Sequence, residues 1–285
     1  MSFISPKTLL RRLGLKPKKA WGQNFLLYPH QARRITAALA LAGQETVVEI
    51  GPGLGALTVF LAQDARRVVA LERDPALAQF LREELFAGDP RVEILCQDAL
   101  TFDFQGLSRE VAQPLALAGN LPYQITSPLL FKLMEEKAAL GRAALMMQQE
   151  VGDRVCAPPG VKDYGVLSVL IQYHFTVDRL FSLGPGNFFP APQVESVVLR
   201  LTPGTLQPPA GNPALLSRVV KAAFAHRRKT LNNTLVSRAG EFGLTPDAIR
   251  RILKALEIDL ARRGETLAVA QFVALSNAIE KEGYR

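Results

Sequence analysis

The sequence predicts an α/β domain built on a mainly parallel sheet with an antiparallel edge strand, followed by a small all-α domain. Three observations carry that expectation. Between residues 46 and 149, short apolar, β-branched runs alternate with helical patterns, as expected of strands covered on both faces by crossover helices. Two later apolar runs have no helix between them, the pattern of an antiparallel pair. Beyond the Pro/Gly-rich stretch TPGTLQPPAGNP (202–213), only helical patterns remain.

In chain order, TVVEI (46–50) reads as a strand and ALTVFLAQDA (56–65) as a helix. RVVALE (67–72) is a second strand, followed by the helix PALAQFLREELF (75–86). VEILCQ (92–97), PLALAG (114–119) and AALMMQQ (143–149) continue the sheet. FTVDRLFSL (175–183) and SVVLRL (196–201) are expected to pair antiparallel at one edge. Residues 202–213 read as a linker. After it, Asn212 with Pro213, and Thr245 with Pro246, read as a cap followed by proline at the first helical position. The last helix is VAQFVALSNAIEKE (269–282). The expected domains are therefore 1–203, with a basic N-terminal segment 1–44, and a helical domain 213–285.

An apolar content of 48% over 285 residues fills a substantial core. The two cysteines, Cys96 and Cys156, have no metal-ligand spacing, and a disulfide framework is not expected; Cys96, on the third strand, reads as a core residue. No apolar run reaches the roughly 18 residues of a membrane span, so a cytoplasmic protein is expected, with no membrane partner. The net charge of +8 is segregated. Residues 1–44 hold eight Lys/Arg and no acid, residues 45–212 carry a net −6, and residues 213–285 a net +6. Basic ends flanking an acidic middle suit a polyanionic partner. The run Lys16, Lys18, Lys19 and the cluster Arg227, Arg228, Lys229 are the candidate nucleic-acid contacts. They supply phosphate neutralisation without sequence information. The histidines His30, His174 and His226 show no ligand spacing, and no metal is expected.

VVEIGPGLGALT carries a strand into Gly51, Gly53 and Gly55 and then a helix, the arrangement of a nucleotide-cofactor turn. Glu72 ends the second strand, where an acid hydrogen-bonds ribose hydroxyls. Asp98 ends the third, placed to accept from an adenine amine. This spacing suits an adenosine-containing cofactor without choosing between NAD and S-adenosylmethionine.

The stretch LALAGNLPYQITSPLLFKL (115–133) chooses. An adenine N6 amine is a poor nucleophile, because its lone pair is delocalised into the ring. Two acceptors on its hydrogens push the nitrogen toward sp³. The Asn120 side-chain oxygen is one candidate. The Leu121 carbonyl, held in direction because Leu121 precedes proline, is the other. Tyr123 is placed to stack on the base. Acceptors beside a sulfonium amount to electrostatic and proximity catalysis without a covalent nucleophile.

NLPYQITSP resembles the Asn/Asp-Pro-Pro-Tyr/Phe motif of amino-methyltransferases, in the form used by the ribosomal RNA adenine dimethyltransferases; Gln124 stands where that branch has a second Asn. WGQNFL (21–26), EIGPGLGALT, ALERD, CQDAL, NFFPAPQVESVVLRL (187–201) and AFAHRRKTLNNTL (223–235) are similar to that family's other segments, in order. The resemblance implies a Rossmann-like class I methyltransferase that uses S-adenosyl-L-methionine. It implies that Asn24 and Leu26 touch the cofactor and that Gly51 lies under its methionine part. It also implies that Glu72 holds the ribose, Asp98 the adenine, and Asn120 both cofactor and target amine. Phe188 becomes the second aromatic wall of the target pocket, opposite Tyr123.

The implied activity is dimethylation of two adjacent adenosines near the 3′ end of 16S rRNA, within the assembling 30S subunit, by a monomer. A role in ribosome biogenesis follows. The sister branch acting on 23S rRNA shares the chemistry, and RRKTLNNTL favours the small-subunit branch. A binding factor without turnover is opposed by Asn120 and Tyr123, and an NAD dehydrogenase leaves NLPY unexplained. Because GQNFL belongs to the working enzyme, at most the first dozen or so residues could form a removable leader.

Overall fold

The computed structural model describes residues 4–18, 21–204 and 206–283. It divides into two compact units: residues 1–152 with 177–203, and residues 153–176 with 204–285. The first unit holds the sheet. Its strands are β1 (Phe25–Leu26), β2 (Thr46–Ile50), β3 (Arg67–Glu72), β4 (Val92–Cys96), β5 (Leu115–Asn120), β6 (Leu140–Gln148), β7 (Phe175–Leu183, its first two residues assigned to the other unit), β8 (Phe188–Phe189) and β9 (Ser196–Pro203). The order across the main sheet is β4-β3-β2-β5-β6-β9-β7, and β1 pairs separately with β8. The strands β2 to β6 run parallel, and β9 lies antiparallel on β6.

The helices follow the expected alternation: α1 (Pro6–Leu13), α2 (Pro29–Ala37), α3 (Thr58–Asp64), α4 (Pro75–Phe80, continued by a π turn to Leu85), α5 (Phe104–Glu110) and α6 (Thr126–Glu135). Val47, Val48, Val68, Val69, Ala116 and Leu117 are nearly inaccessible, as central parallel strands with both faces covered must be. β2 and β5 approach so closely that a Cβ on Gly119 would stand 2.9 Å from the Ile50 carbonyl oxygen. Caps start the helices where the sequence places them: the Asp74 carboxylate accepts from the Ala76 amide, and Asp103 from Gly106.

α7 (Gln149–Cys156) carries the chain out of the first unit. The second unit contains α8 (Val166–His174), α9 (Pro213–Ala223), α10 (Leu231–Thr234), α11 (Pro246–Ala255) and α12 (Val269–Glu282). Its core is formed by residues such as Leu216, Val220, Phe242, Leu253 and Phe272. The Asn212 and Thr245 side chains cap α9 and α11, accepting from the Leu215 and Ala248 amides.

Three sequence expectations change. Residues 153–176, read as part of the first domain, group with the C-terminal helices; the apolar VLSVLI of α8 packs against α9 and α12. The expected linker is ordered: the Gly211 amide donates to Asn277 Oδ1 at 2.9 Å, and Asn277 Nδ2 donates to the Pro209 carbonyl at 2.9 Å. Cys96, read as a core residue, is exposed, because β4 is the outermost strand.

Candidate active site

One cavity at the carboxyl ends of β2, β3, β4 and β5 brings together Asn24, Gly51, Gly53, Glu72, Asp98 and Asn120. The strand order reverses direction between β2 and β5, where open α/β sheets bind their ligands. Leu26 also lines the cavity, at 2% exposure. The turn after β2 holds Gly51 and Gly53 at φ +67° and +60°, conformations that a residue with a Cβ adopts at a cost.

Glu72 accepts on both of its oxygens. Its Oε2 accepts from the Gly53 amide at 2.9 Å and its Oε1 from the Asp74 amide at 2.8 Å, so it braces the glycine turn. A carboxylate has about four lone-pair directions, which leaves capacity for two ribose hydroxyls. Burial pushes the Glu72 carboxyl up, against the pull of those two amides. Asp98 accepts from the Leu100 amide at 2.9 Å, and its second oxygen lies 3.7 Å from the Arg73 guanidinium.

At the end of β5, the Asn120 Nδ2 donates to the Asn24 carbonyl at 2.8 Å. Because only the nitrogen can donate there, the amide is oriented with Oδ1 available as an acceptor. Leu121 is 1% exposed and its amide donates to the Met146 carbonyl at 2.9 Å, which anchors the peptide ahead of Pro122. Tyr123 is half-buried. Burial raises its phenol, and a hydrogen bond with the Ser196 side chain opposes that shift. Ser196 is itself 1% exposed, at the start of β9. Gln124, the departure from the motif, packs on the N-terminal segment: a Cβ on Gly22 would stand 2.7 Å from its Oε1.

Phe188, the expected second wall of the target pocket, opens β8. It is 3% exposed and packs in the core with Leu26, Ala118, Met146 and Leu183. It pairs with Leu26 across β1 and β8. Its neighbour Phe189 points the other way, as alternation in a strand requires, with the Lys7 ammonium 5.3 Å from its ring centroid.

Several functional groups escaped the sequence reading. Asp74, within ALERD, gathers the N-terminal segment: Lys18 Nζ lies 2.9 Å away and Gln23 Nε2 donates at 3.0 Å. Burial raises the Asp74 carboxyl, but the Lys18, Gln23 and Ala76 donors outweigh it and hold the group below its usual range. Lys18 also stands 4.4 Å from the Trp21 ring centroid. Lys18 is therefore engaged within the fold while its side chain stays 45% exposed, and Lys19 lies outside the described residues. Glu49, inside β2, lines the cavity at 1% exposure. A charged residue within an otherwise apolar strand was the signal that could have found it.

In the second unit, Arg227 bonds Glu265 at 3.2 Å and the Lys162 carbonyl. Arg228 and Lys229 are exposed in the same turn. Of the expected basic cluster, these two are presented to solvent without an ion pair among the described residues. No metal-holding group of His, Cys, Asp and Glu occurs among the described residues, and no helix of theirs is long and apolar enough to cross a membrane.

A model of the family described as ribosomal RNA adenine dimethylase matches residues 14–275. The chain belongs to that family. As a ribosomal RNA adenine dimethylase it is a methyltransferase that uses S-adenosylmethionine, and its cavity fits that cofactor: a glycine turn and acids at the ends of successive strands. It is 44% identical to the ribosomal RNA small subunit methyltransferase A of Geobacter sulfurreducens, over 96% of this chain and 99% of that protein. It is 43% identical to the protein of the same name from Myxococcus xanthus, over 96% and 95%. The fold is that of a dimethyladenosine transferase from Plasmodium falciparum, with a TM-score of 0.78 and 24% identity over 91% of this chain and 98% of that one. The 23S rRNA methyltransferase ErmE shares it at 0.68 and 24% identity, over 90% and 100%.

Proposed function

We propose that the dimethylase transfers methyl groups to the N6 atoms of two adjacent adenosines near the 3′ end of 16S rRNA, acting on the assembling 30S subunit as a cytoplasmic monomer. The observation that carries the chemistry is the Asn120 amide, whose nitrogen is held by the Asn24 carbonyl so that its oxygen is left to accept. When bound, S-adenosylmethionine supplies a methyl group made electrophilic by its sulfonium. Glu72 holds the ribose and Asp98 the adenine of that cofactor, with Gly51 beneath its methionine part and Asn24 and Leu26 closing from the N-terminal side.

The target amine gives one hydrogen to Asn120 Oδ1 and the other to the Leu121 carbonyl, which returns its lone pair to nitrogen. Tyr123 stacks on the extruded base. Once the amine has gained a methyl it is cationic and loses its proton to water, so no general base is required. A monomethylated amine retains one hydrogen, and a single acceptor then positions it. Arg228 and Lys229 supply phosphate contacts from the helical unit, while Arg227 holds that unit's own loops together.

The small-subunit names of the relatives at 43–44% identity favour 16S over 23S rRNA. Labelled methyl incorporation into undermethylated 30S and, separately, 50S particles tests the reading. Dimethyladenosine in 16S rRNA alone is the expected result. Label confined to the large subunit would overturn the substrate, and no label in either would overturn the reaction.

A further inference from the structure

At the start of α2 a pair of rings faces solvent, outside the cofactor cavity. Tyr28, just ahead of the helix, is 45% exposed, the most of any large apolar side chain among the described residues. Pro29 and His30 are exposed after it. The Tyr28 and His30 rings stack, with centroids 5.6 Å apart and planes 27° from parallel. Arg34 follows His30 at the i,i+4 spacing that puts both on one helix face. Its guanidinium carbon lies 3.9 Å from the Phe181 ring centroid of β7, and its Nη1 donates to Gln31 Oε1 at 2.9 Å. Arg33, by contrast, is already paired with Asp64. The first turn of α2 holds no acid, and neither does any of residues 1–44.

These rings adjoin the reacting end of the sheet. Tyr28 follows Asn24, whose carbonyl holds Asn120, by four residues, a reach of at most about 14 Å. Between them the Leu27 amide donates to the Asn187 carbonyl at 2.8 Å, beside Phe188 at the start of β8. We propose that Tyr28 and His30 form a stacking platform for an unpaired rRNA base flanking the target adenosines, and that Arg34 meets the phosphate of that nucleotide. Every base has a π face, so such stacking is sequence-tolerant, and a cation beside it follows the backbone. A phosphate gives Arg34 a partner on arrival, whereas an apolar protein surface would leave it unpaired. This rests on the reading of the substrate as rRNA of the small subunit. It adds to that reading a second foothold, outside the pocket of the extruded adenine.

The test is equilibrium binding of the full chain to undermethylated 30S particles, with S-adenosylhomocysteine binding measured alongside. Tyr28→Ala is expected to weaken 30S binding about tenfold at unchanged S-adenosylhomocysteine affinity, and Tyr28→Phe to stay within about twofold of the wild-type protein. The slope of log affinity against log salt is expected to be unchanged in Tyr28→Ala and reduced by about 1 in Arg34→Ala. Benzoylphenylalanine in place of Tyr28 is expected to photo-cross-link to 16S rRNA. A Tyr28→Ala affinity within about twofold of wild type, or cross-links to ribosomal protein alone, would overturn the platform while leaving the small-subunit substrate standing. Failure of the wild-type protein to bind 30S particles would overturn both. Should Tyr28→Ala also lose the cofactor, Tyr28→Leu decides, because it keeps the apolar bulk without the π face: weakened 30S binding supports the platform, and wild-type affinity contradicts it.

Discussion

Tyr123 is held at both ends, its Cα by the turn after Pro122 and its hydroxyl by Ser196. With the ring face proposed to stack on the base, the hydroxyl matters only as a tether. Ser196→Ala and Tyr123→Phe are each expected to lower kcat by about three- to tenfold, and the double variant to fall no further, since both remove one bond. A double variant at the product of the two effects would contradict the tether. Glu49 makes a pH prediction. Its native proton affinity lies above the unfolded value of 4.5, so its cost is absent below that pH and complete above about 8. Glu49→Gln is therefore expected to raise the Tm of the empty protein by about 5 °C at pH 8 and by about 2 °C or less at pH 5, as followed by calorimetry. At this scale the sequence was legible in placement, since Asn120, Glu72 and Asp98, read at three separate strand ends, line one cavity. Ser196 and Asp74 lay inside recognised segments, but their partners are distant in sequence.

Among the elements, β2, β3 and β5 were readable because central parallel strands are apolar on both faces. α1 and α2 were not, since their basic residues made residues 1–44 look like a solvated arm. Yet α1 buries Leu9 and Leu10, and Asp74 ties the following segment to the start of α4 through Lys18 and Gln23. Trp21 is the protein's sole tryptophan, so that tie is directly observable. Asp74→Ala is expected to shift Trp21 emission to the red and to weaken cofactor binding about tenfold, because it removes a cap as well as a charge-assisted pair. An unchanged spectrum with unchanged affinity would show that the segment is held by packing alone.

Across the whole molecule, the charge segregation visible in the sequence divides into two kinds of cation. Lys18 and Arg227 close contacts inside their own units, while Arg228 and Lys229 face solvent. Charge counts cannot make that distinction, because it depends on whether an acid or carbonyl is brought near by the fold. Removing both Arg228 and Lys229 by substitution with alanine is expected to reduce the slope of log affinity for RNA against log salt by about 1 to 2. Arg227→Ala is expected to lower stability instead, read as an earlier unfolding midpoint in urea. The domain boundary was legible only in part: α8 has the apolar character of a core element, but nothing local says that it packs with α9 and α12, far along the chain.

The central claim is that Asn120 acts as an oriented acceptor for the target amine, and the most direct measurement is the single-turnover methylation rate of Asn120→Ala on undermethylated 30S particles. The rate is expected to fall by about 10²–10³, the size of losing one preorganised hydrogen-bonding group at a reacting centre. A rate within about threefold of the wild-type protein, on particles that both proteins bind equally, would contradict it.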